Sequence, residues 1–138
     1  MICHDVLRIK GKLSGSSQDE LVMMEMIEKD YNCSFLVRDS SSIKISMRGK
    51  EETYEILQVF EFTSDRKMMS ITVKNLAEDK LINYGKGADN VMKTKLDKCG
   101  TKENDMISKL DGYAMNGFRT IVYGMKYIDI DKLDNVLS

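Results

Sequence analysis

Two polar segments of the chain contain residue types suited to binding a nucleotide. In residues 61–70, an aromatic residue at the end of a predicted strand is followed by a polar loop with two adjacent cations. In residues 85–89, a lysine between two glycines lies where a strand passes into a helix. An aromatic ring can stack on a base, a lysine can lie near phosphate charge, and glycine permits close backbone approach. A solvated hairpin turn and an ordinary helix start account for the same residues, and by themselves the residues favour that plainer interpretation.

Most other binding and catalytic motifs are missing from the sequence. It has no G-x-x-x-x-G-K-[ST] phosphate loop and no G-x-G-x-x-G that opens a helix after a strand. His4 is the only histidine, and Cys3, Cys33 and Cys99 lie far apart, which argues against a zinc site and a disulfide framework. A Ser/His or Cys/His nucleophile pair would have to use His4. We therefore predict no catalytic residue and no metal ligands.

Length and charge limit the classes of function further. The 138 residues are enough for one domain, residues 1–138, with its own core. With 21 basic and 22 acidic residues, the net charge is −1, which argues against binding nucleic acid through bulk charge. No apolar run approaches the length of a membrane span and no secretion signal is visible, so we expect a soluble domain in a reducing compartment.

The hydrophobic pattern predicts the elements that must position these segments. Strands are predicted at residues 6–13, 34–38, 43–47, 52–62, 69–73, 80–84 and 119–127, and helices at 17–31, 89–96, 101–116 and 129–137. Ser17 and Glu20 match a capping box, in which Glu20 reaches back to the cap residue. Gly117 stands where a helix C-terminal glycine belongs. The order predicts an α+β domain, a twisted antiparallel sheet of about six to seven strands flanked by helices.

The segments, taken in order, resemble the nucleotide-binding domain of P-type ATPases, most closely the phospholipid-transporting (flippase) subfamily. That family carries Glu-Phe-Thr-Ser-Asp-Arg-Lys-Arg-Met-Ser, Lys-Gly-Ala-Asp and Gly-Leu-Arg-Thr-Leu, which residues 61–70, 86–89 and 117–121 match closely. Residues 17–20 resemble the family's Ser-Pro-Asp-Glu, and residues 3–4 a Cys-His pair that precedes this domain. The resemblance covers nearly the whole chain and implies the same antiparallel fold with flanking helices.

The resemblance also implies roles in ATP binding for individual residues. Phe62 would stack on adenine, Glu20 would accept a hydrogen bond from the adenine edge, and Arg119 would reach ribose or phosphate. Lys67 and Lys86 would line the pocket and meet the ring or phosphates. Apart from the resemblance, we expect Lys86 to be a solvated cation. The pocket walls would be shaped by Ser64, Asp65 and the backbone of Gly87 and Ala88.

The resemblance also implies that this chain is one domain of a larger parent protein. ATP would be the ligand, with Mg²⁺ accompanying it in the intact protein without being held by this domain. The partners would be the phosphorylation and actuator domains of the same parent, with no nucleic acid involved. The parent would be a membrane protein with this domain on its cytoplasmic face. Because the acceptor aspartate would belong to another domain, the fragment would bind ATP without hydrolysing it and would not itself insert into a membrane.

Residues 97–101 differ at one position from the Asp-Lys-Thr-Gly-Thr motif whose aspartate is phosphorylated in that family. In the family the motif precedes the nucleotide domain, whereas here Asp97 follows Lys86, so we interpret it as a coincidence.

Two alternatives stay open. The chain would fit a flippase-like ATPase region fused to a protozoan guanylate cyclase equally well. It would also fit a degenerate domain that kept the fold, lost nucleotide binding and serves only in protein contacts.

Overall fold

The computed structural model of the chain describes residues 1–96 and 101–132. Within these ranges the strands are β1 (Leu7–Ile9), β2 (Lys12–Ser14), β3 (Cys33–Arg38), β4 (Ser42–Met47), β5 (Lys50–Phe60), β6 (Met68–Asn75), β7 (Lys80–Gly87) and β8 (Val122–Ile128). The helices are α1 (Gln18–Asp30), α2 (Asp89–Met92), α3 (Thr101–Met115) and a short 3-10 helix (Ile130–Lys132). None of the helices in the described ranges is long and apolar enough to span a membrane.

One six-stranded sheet organises the domain. Its strands lie in the order β3 to β8, and each pairs antiparallel with the next along the chain. A two-residue turn joins β4 to β5, with positive φ at both Arg48 and Gly49, as a type I′ hairpin requires. Only the connection from β7 to β8 is long, and it contains α2 and α3. The predicted α+β fold, an antiparallel sheet flanked by helices, is confirmed.

The strand predicted over residues 6–13 is wrong, because the chain folds back within it. Lys10 and Gly11 have φ values of 49° and 79°, and Ile9 pairs with Lys12 across them. Two consecutive residues at positive φ form a type I′ turn, so β1 and β2 make a separate hairpin. The alternating pattern continues through the Lys-Gly pair, so periodicity alone does not reveal the turn.

Two hydrophobic clusters pack on opposite faces of the sheet. Met69, Ile71 and Val73 of β6 face the larger cluster, which also includes Val6 from the N-terminal segment and Met24 from α1. Met68 faces the smaller cluster, where it packs with residues of α2, α3 and β8, namely Met92, Leu110 and Val122. Because successive strand residues point to opposite faces, adjacent Met68 and Met69 separate the two layers.

Several helix and strand boundaries in the structure differ from the predicted ones, and two of these differences affect candidate site residues. β5 ends at Phe60 and β8 begins at Val122, so Phe62 and Arg119 both lie in irregular backbone just outside a strand. The helix predicted at residues 89–96 is α-helical only over Asp89–Met92 and continues as hydrogen-bonded turns to Leu96. Of the helix predicted at 129–137, the described part is the 3-10 turn. Residues 133–138 and residues 97–100, with Asp97, lie outside the described residues.

Candidate functional site

Four strand termini meet at one end of the sheet and form the floor of a cleft. Because neighbouring strands are antiparallel, the end of β5, the start of β6, the end of β7 and the start of β8 lie side by side. The N-terminus of α1 and the N-terminal segment cover this end from one face. The cleft has a volume of about 620 Å³, within the range of small-molecule sites. It is lined by Asp5, Ser16, Ser17, Asp19, Glu20, Glu61, Phe62, Met69, Lys86, Gly87, Ala88, Arg119, Thr120 and Ile121.

The cleft brings together six of the nine residues singled out from the sequence. These are Glu20, Phe62, Lys86, Gly87, Ala88 and Arg119. Ser64, Asp65 and Lys67 do not line it and are exposed in the loop after Phe62. The backbone of Lys67 closes that loop, since its N–H donates to the Thr63 carbonyl at 2.8 Å and its carbonyl accepts from the Ala88 N–H at 3.0 Å.

A largely buried ion pair lies at the floor of the cleft. Lys86 lies in β7 opposite Met69 of β6, on the sheet face that α1 covers, and is only 8% exposed. Its Nζ donates to Glu20 Oε1, while the Asp5 backbone N–H donates to Glu20 Oε2 at 3.1 Å. Burial lowers the pKa of Lys86, and nearby Cys3 and Asp5 act in the opposite direction. A buried ammonium needs a partner, so the pair fixes both side chains.

This arrangement corrects two expectations from the sequence. Ser17 caps α1 as predicted, because its Oγ accepts from the Glu20 N–H at 3.4 Å. The Glu20 carboxylate, however, is bonded to Lys86 and the Asp5 backbone instead of reaching back to Ser17. Lys86 is a buried, paired cation and not a solvated one.

Phe62 provides an accessible aromatic surface at the cleft. It lies two residues beyond the end of β5 and is 60% exposed, so it is not a core residue. Its neighbour Glu61 also lines the cleft, and Arg66 fixes the loop by donating to the Glu61 carbonyl at 3.1 Å. An exposed ring held on an ordered loop is suited to stacking on a planar ligand.

The glycine at position 87 is required by strand packing. A Cβ on Gly87 would lie 2.6 Å from the Lys67 carbonyl oxygen and 2.6 Å from Met68 Cβ, on the neighbouring strand. Any side chain would therefore push β6 and β7 apart at the cleft floor. Close approach of a ligand, the reason expected from the sequence, is not needed to account for this residue.

Arg119 is placed at the cleft by the C-terminal cap of α3. Gly117 has a φ of 76°, its N–H donates to Ala114 O, and the Phe118 N–H donates to Tyr113 O, both at 3.0 Å. These bonds form a Schellman motif, as the glycine predicted, and turn the chain toward β8. Arg119 then pairs with Asp19 at 3.3 Å and remains 85% exposed.

Three of the lining residues that the sequence did not single out are acidic. Asp19 and Glu61 lie inside the matched segments, next to residues that were identified, so adjacency could have found them. Asp5 had no signal, because no element was predicted for the first five residues. No group of three or more His, Cys, Asp or Glu residues in the described ranges could hold a metal ion.

Buried His4 holds the N-terminal segment against the cleft. Its Nδ1 accepts from the Val6 N–H at 3.0 Å, and its Nε2 lies 2.8 Å from the Met1 carbonyl oxygen, to which it donates. The ring also meets Phe35 edge-on at 4.8 Å. Burial lowers the pKa of His4 to about 3, so the imidazole is neutral. The bend so formed places the Asp5 N–H at the Glu20 carboxylate.

The chain is similar to known proteins over most of its length. Residues 12–134 match the family described as P-type ATPase, cytoplasmic domain N. Phospholipid-transporting ATPase IC of Mus musculus is 33% identical over 132 residues, which are 93% of this chain and 10% of that protein. Phospholipid-transporting ATPase tat-1 of Caenorhabditis elegans is 33% identical over 135 residues, 92% of this chain and 12% of that protein. The chain thus spans about a tenth of the length of these relatives.

Proposed function

The chain belongs to the family of P-type ATPase cytoplasmic N domains, and on this premise we propose that its cleft binds ATP and presents it to a separate phosphorylation domain. The observation that carries the proposal is the meeting of an exposed aromatic ring, Phe62, with a largely buried, hydrogen-bonded carboxylate, Glu20, in one cleft. A ring can hold a base by stacking, and a fixed acceptor can read its edge. The cleft volume fits a nucleoside.

Four of the lining residues have distinct roles in this proposal. Glu20 uses two of its roughly four lone-pair sites for Lys86 and the Asp5 N–H. The remaining sites accept from the exocyclic amine of adenine while Phe62 stacks on the ring. Lys86 neutralises and orients Glu20, and exposed Arg119 reaches ribose or phosphate at the mouth.

The loop residues outside the cleft remain candidates for contacts with the rest of the nucleotide. Ser64, Asp65 and Lys67 are exposed beside Phe62, where they could meet the parts of ATP that extend beyond the cleft. Gly87, the last residue of β7, and Ala88 form a wall of the cleft beside this loop.

We further propose that the parent protein is a phospholipid-transporting P-type ATPase. Relatives with that name and about a third of identical residues, over more than nine tenths of this chain, support the proposal. The domain would then lie on the cytoplasmic face and work with the phosphorylation and actuator domains of the same parent. Mg²⁺ would arrive with ATP. With the acceptor aspartate on another domain, this domain binds ATP without hydrolysing it.

Titration of the isolated domain with ATP, followed by amide chemical shifts, tests the proposal. An open cleft with one stacking ring predicts a Kd near the millimolar level, about −4 kcal/mol. Phe62→Ala should weaken binding at least several-fold, because stacking contributes about 1–3 kcal/mol per base. Tyr127→Ala is the matched control, since Tyr127 is 59% exposed and does not line the cleft.

Two results would contradict the proposal. One is a wild-type protein without ATP-dependent shifts at the cleft, which would favour the degenerate, non-binding domain. The other is a folded Phe62→Ala protein with unchanged affinity, which would remove Phe62 from the site.

A further inference from the structure

The lining of the cleft is acidic, which is unfavourable for a polyphosphate. Its described residues include four carboxylates, namely Asp5, Asp19, Glu20 and Glu61, but only two cations, Lys86 and Arg119. The charge of Lys86 is already balanced by Glu20 in the buried pair. Arg119 is thus the one exposed cation among the described lining residues.

Arg119 is not free to bind a phosphate without losing a partner. Its NH1 lies 3.3 Å from Asp19 Oδ2, and the Asp19 side chain is 40% exposed in the first turn of α1. A phosphate that reaches this guanidinium must compete with Asp19. It must also come near the Asp19 carboxylate, whose charge has the same sign.

We infer that Asp19 is a specificity-determining residue of the cleft, which holds Arg119 and so limits the contribution of phosphate groups to nucleotide affinity. The inference rests on the proposed nucleotide site and deepens it. The nucleoside end supplies most of the binding, and the free domain discriminates weakly among adenosine, AMP and ATP. Removing the Asp19 charge releases Arg119 and gives phosphate groups a favourable partner at the mouth.

A titration series with ligands of increasing phosphate number tests this inference. Adenosine, AMP and ATP are titrated in the presence of EDTA, so that Mg²⁺ does not mask phosphate charge, into wild type, Asp19→Asn and Arg119→Ala. The double variant Asp19→Asn/Arg119→Ala completes the cycle. Glu51→Gln is the matched control, because Glu51 forms an exposed pair with Lys44, also at 3.3 Å, and does not line the cleft.

We expect Asp19→Asn to raise ATP affinity by roughly two- to five-fold, the range that one exposed ion pair supplies. AMP should gain less and adenosine should not change, while Glu51→Gln should leave all three affinities unchanged. In the Arg119→Ala background most of the gain should disappear, and only the part that comes from the lost repulsion between Asp19 and phosphate should remain.

Three results would overturn the inference while leaving the proposed function intact. They are an Asp19→Asn affinity for ATP equal to wild type, a gain that is as large for adenosine as for ATP, and a gain that persists in full without Arg119. If wild type binds neither adenosine nor ATP, the proposed function itself fails, and the inference with it. Thermal melts of every variant ensure that only folded protein is compared.

Discussion

Replacing Lys86 with methionine tests whether the buried ion pair holds the cleft together. Lys86→Met keeps most of the side-chain volume but removes the charge that balances Glu20. Because Lys86 is 8% exposed and the side chain of Glu20 is 11% exposed, water cannot readily replace the lost partner. The Glu20 carboxylate would retain only the Asp5 N–H at 3.1 Å.

The expected loss of stability is large for a single substitution. Breaking a buried pair by removing one partner costs about 3–5 kcal/mol, since it leaves an uncompensated buried charge. The double variant Glu20→Gln/Lys86→Met leaves no such charge, so it should recover most of the loss. Lys44→Met, which breaks an exposed pair with Glu51, should cost less than about 1 kcal/mol.

Urea unfolding at pH 7, followed by circular dichroism, measures these differences as changes in the free energy of unfolding. The reasoning would be refuted if Lys86→Met cost no more than Lys44→Met. It would also be refuted if the double variant were less stable than Lys86→Met, because the loss would then come from packing and not from the orphaned charge.

Two further predictions concern Gly87, in the wall of the cleft, and His4, which holds the N-terminal segment against the cleft. Gly87→Ala should destabilise the domain strongly in urea unfolding, because the added Cβ would lie 2.6 Å from Lys67 O. Gly112→Ala, which has open space around it in α3, should instead stabilise the domain by about 0.5–1 kcal/mol. Equal effects of the two substitutions would contradict the packing reason for Gly87. Because burial lowers the pKa of His4 from 6.5 to about 3, the unfolded chain binds a proton that the folded chain does not as the pH falls between these values. The stability that neutral His4 contributes is fully present above pH 6.5 and is lost toward pH 3, at up to about 1.4 kcal/mol per pH unit. The free energies of unfolding of wild type and His4→Gln, measured with urea from pH 7 to 4, should converge as the pH falls. A constant difference between the two proteins over this range would contradict the prediction.

Short-range features of the fold could be predicted because their causes are local. The Ser17 cap and the Schellman glycine, Gly117, each depend on hydrogen bonds within a few residues, and both form as expected. The antiparallel order follows from short strands with tight turns. The hairpin in residues 7–14 was missed because a two-residue turn hardly interrupts an alternating pattern.

The sequence by itself determined the family, the α+β sheet and the residue types available for a nucleotide, because matched segments and local periodicity are properties of neighbouring residues. Only the tertiary structure decided how those residues are used. Glu20 and Lys86 are 66 positions apart, and whether they meet ligand, water or each other depends on the first turn of α1 lying at the end of β7. The same packing brings Asp5 to the cleft and Asp19 to Arg119. Burial and long-range pairing set the charge state and partners of a side chain, and neither is encoded within any one segment of the chain.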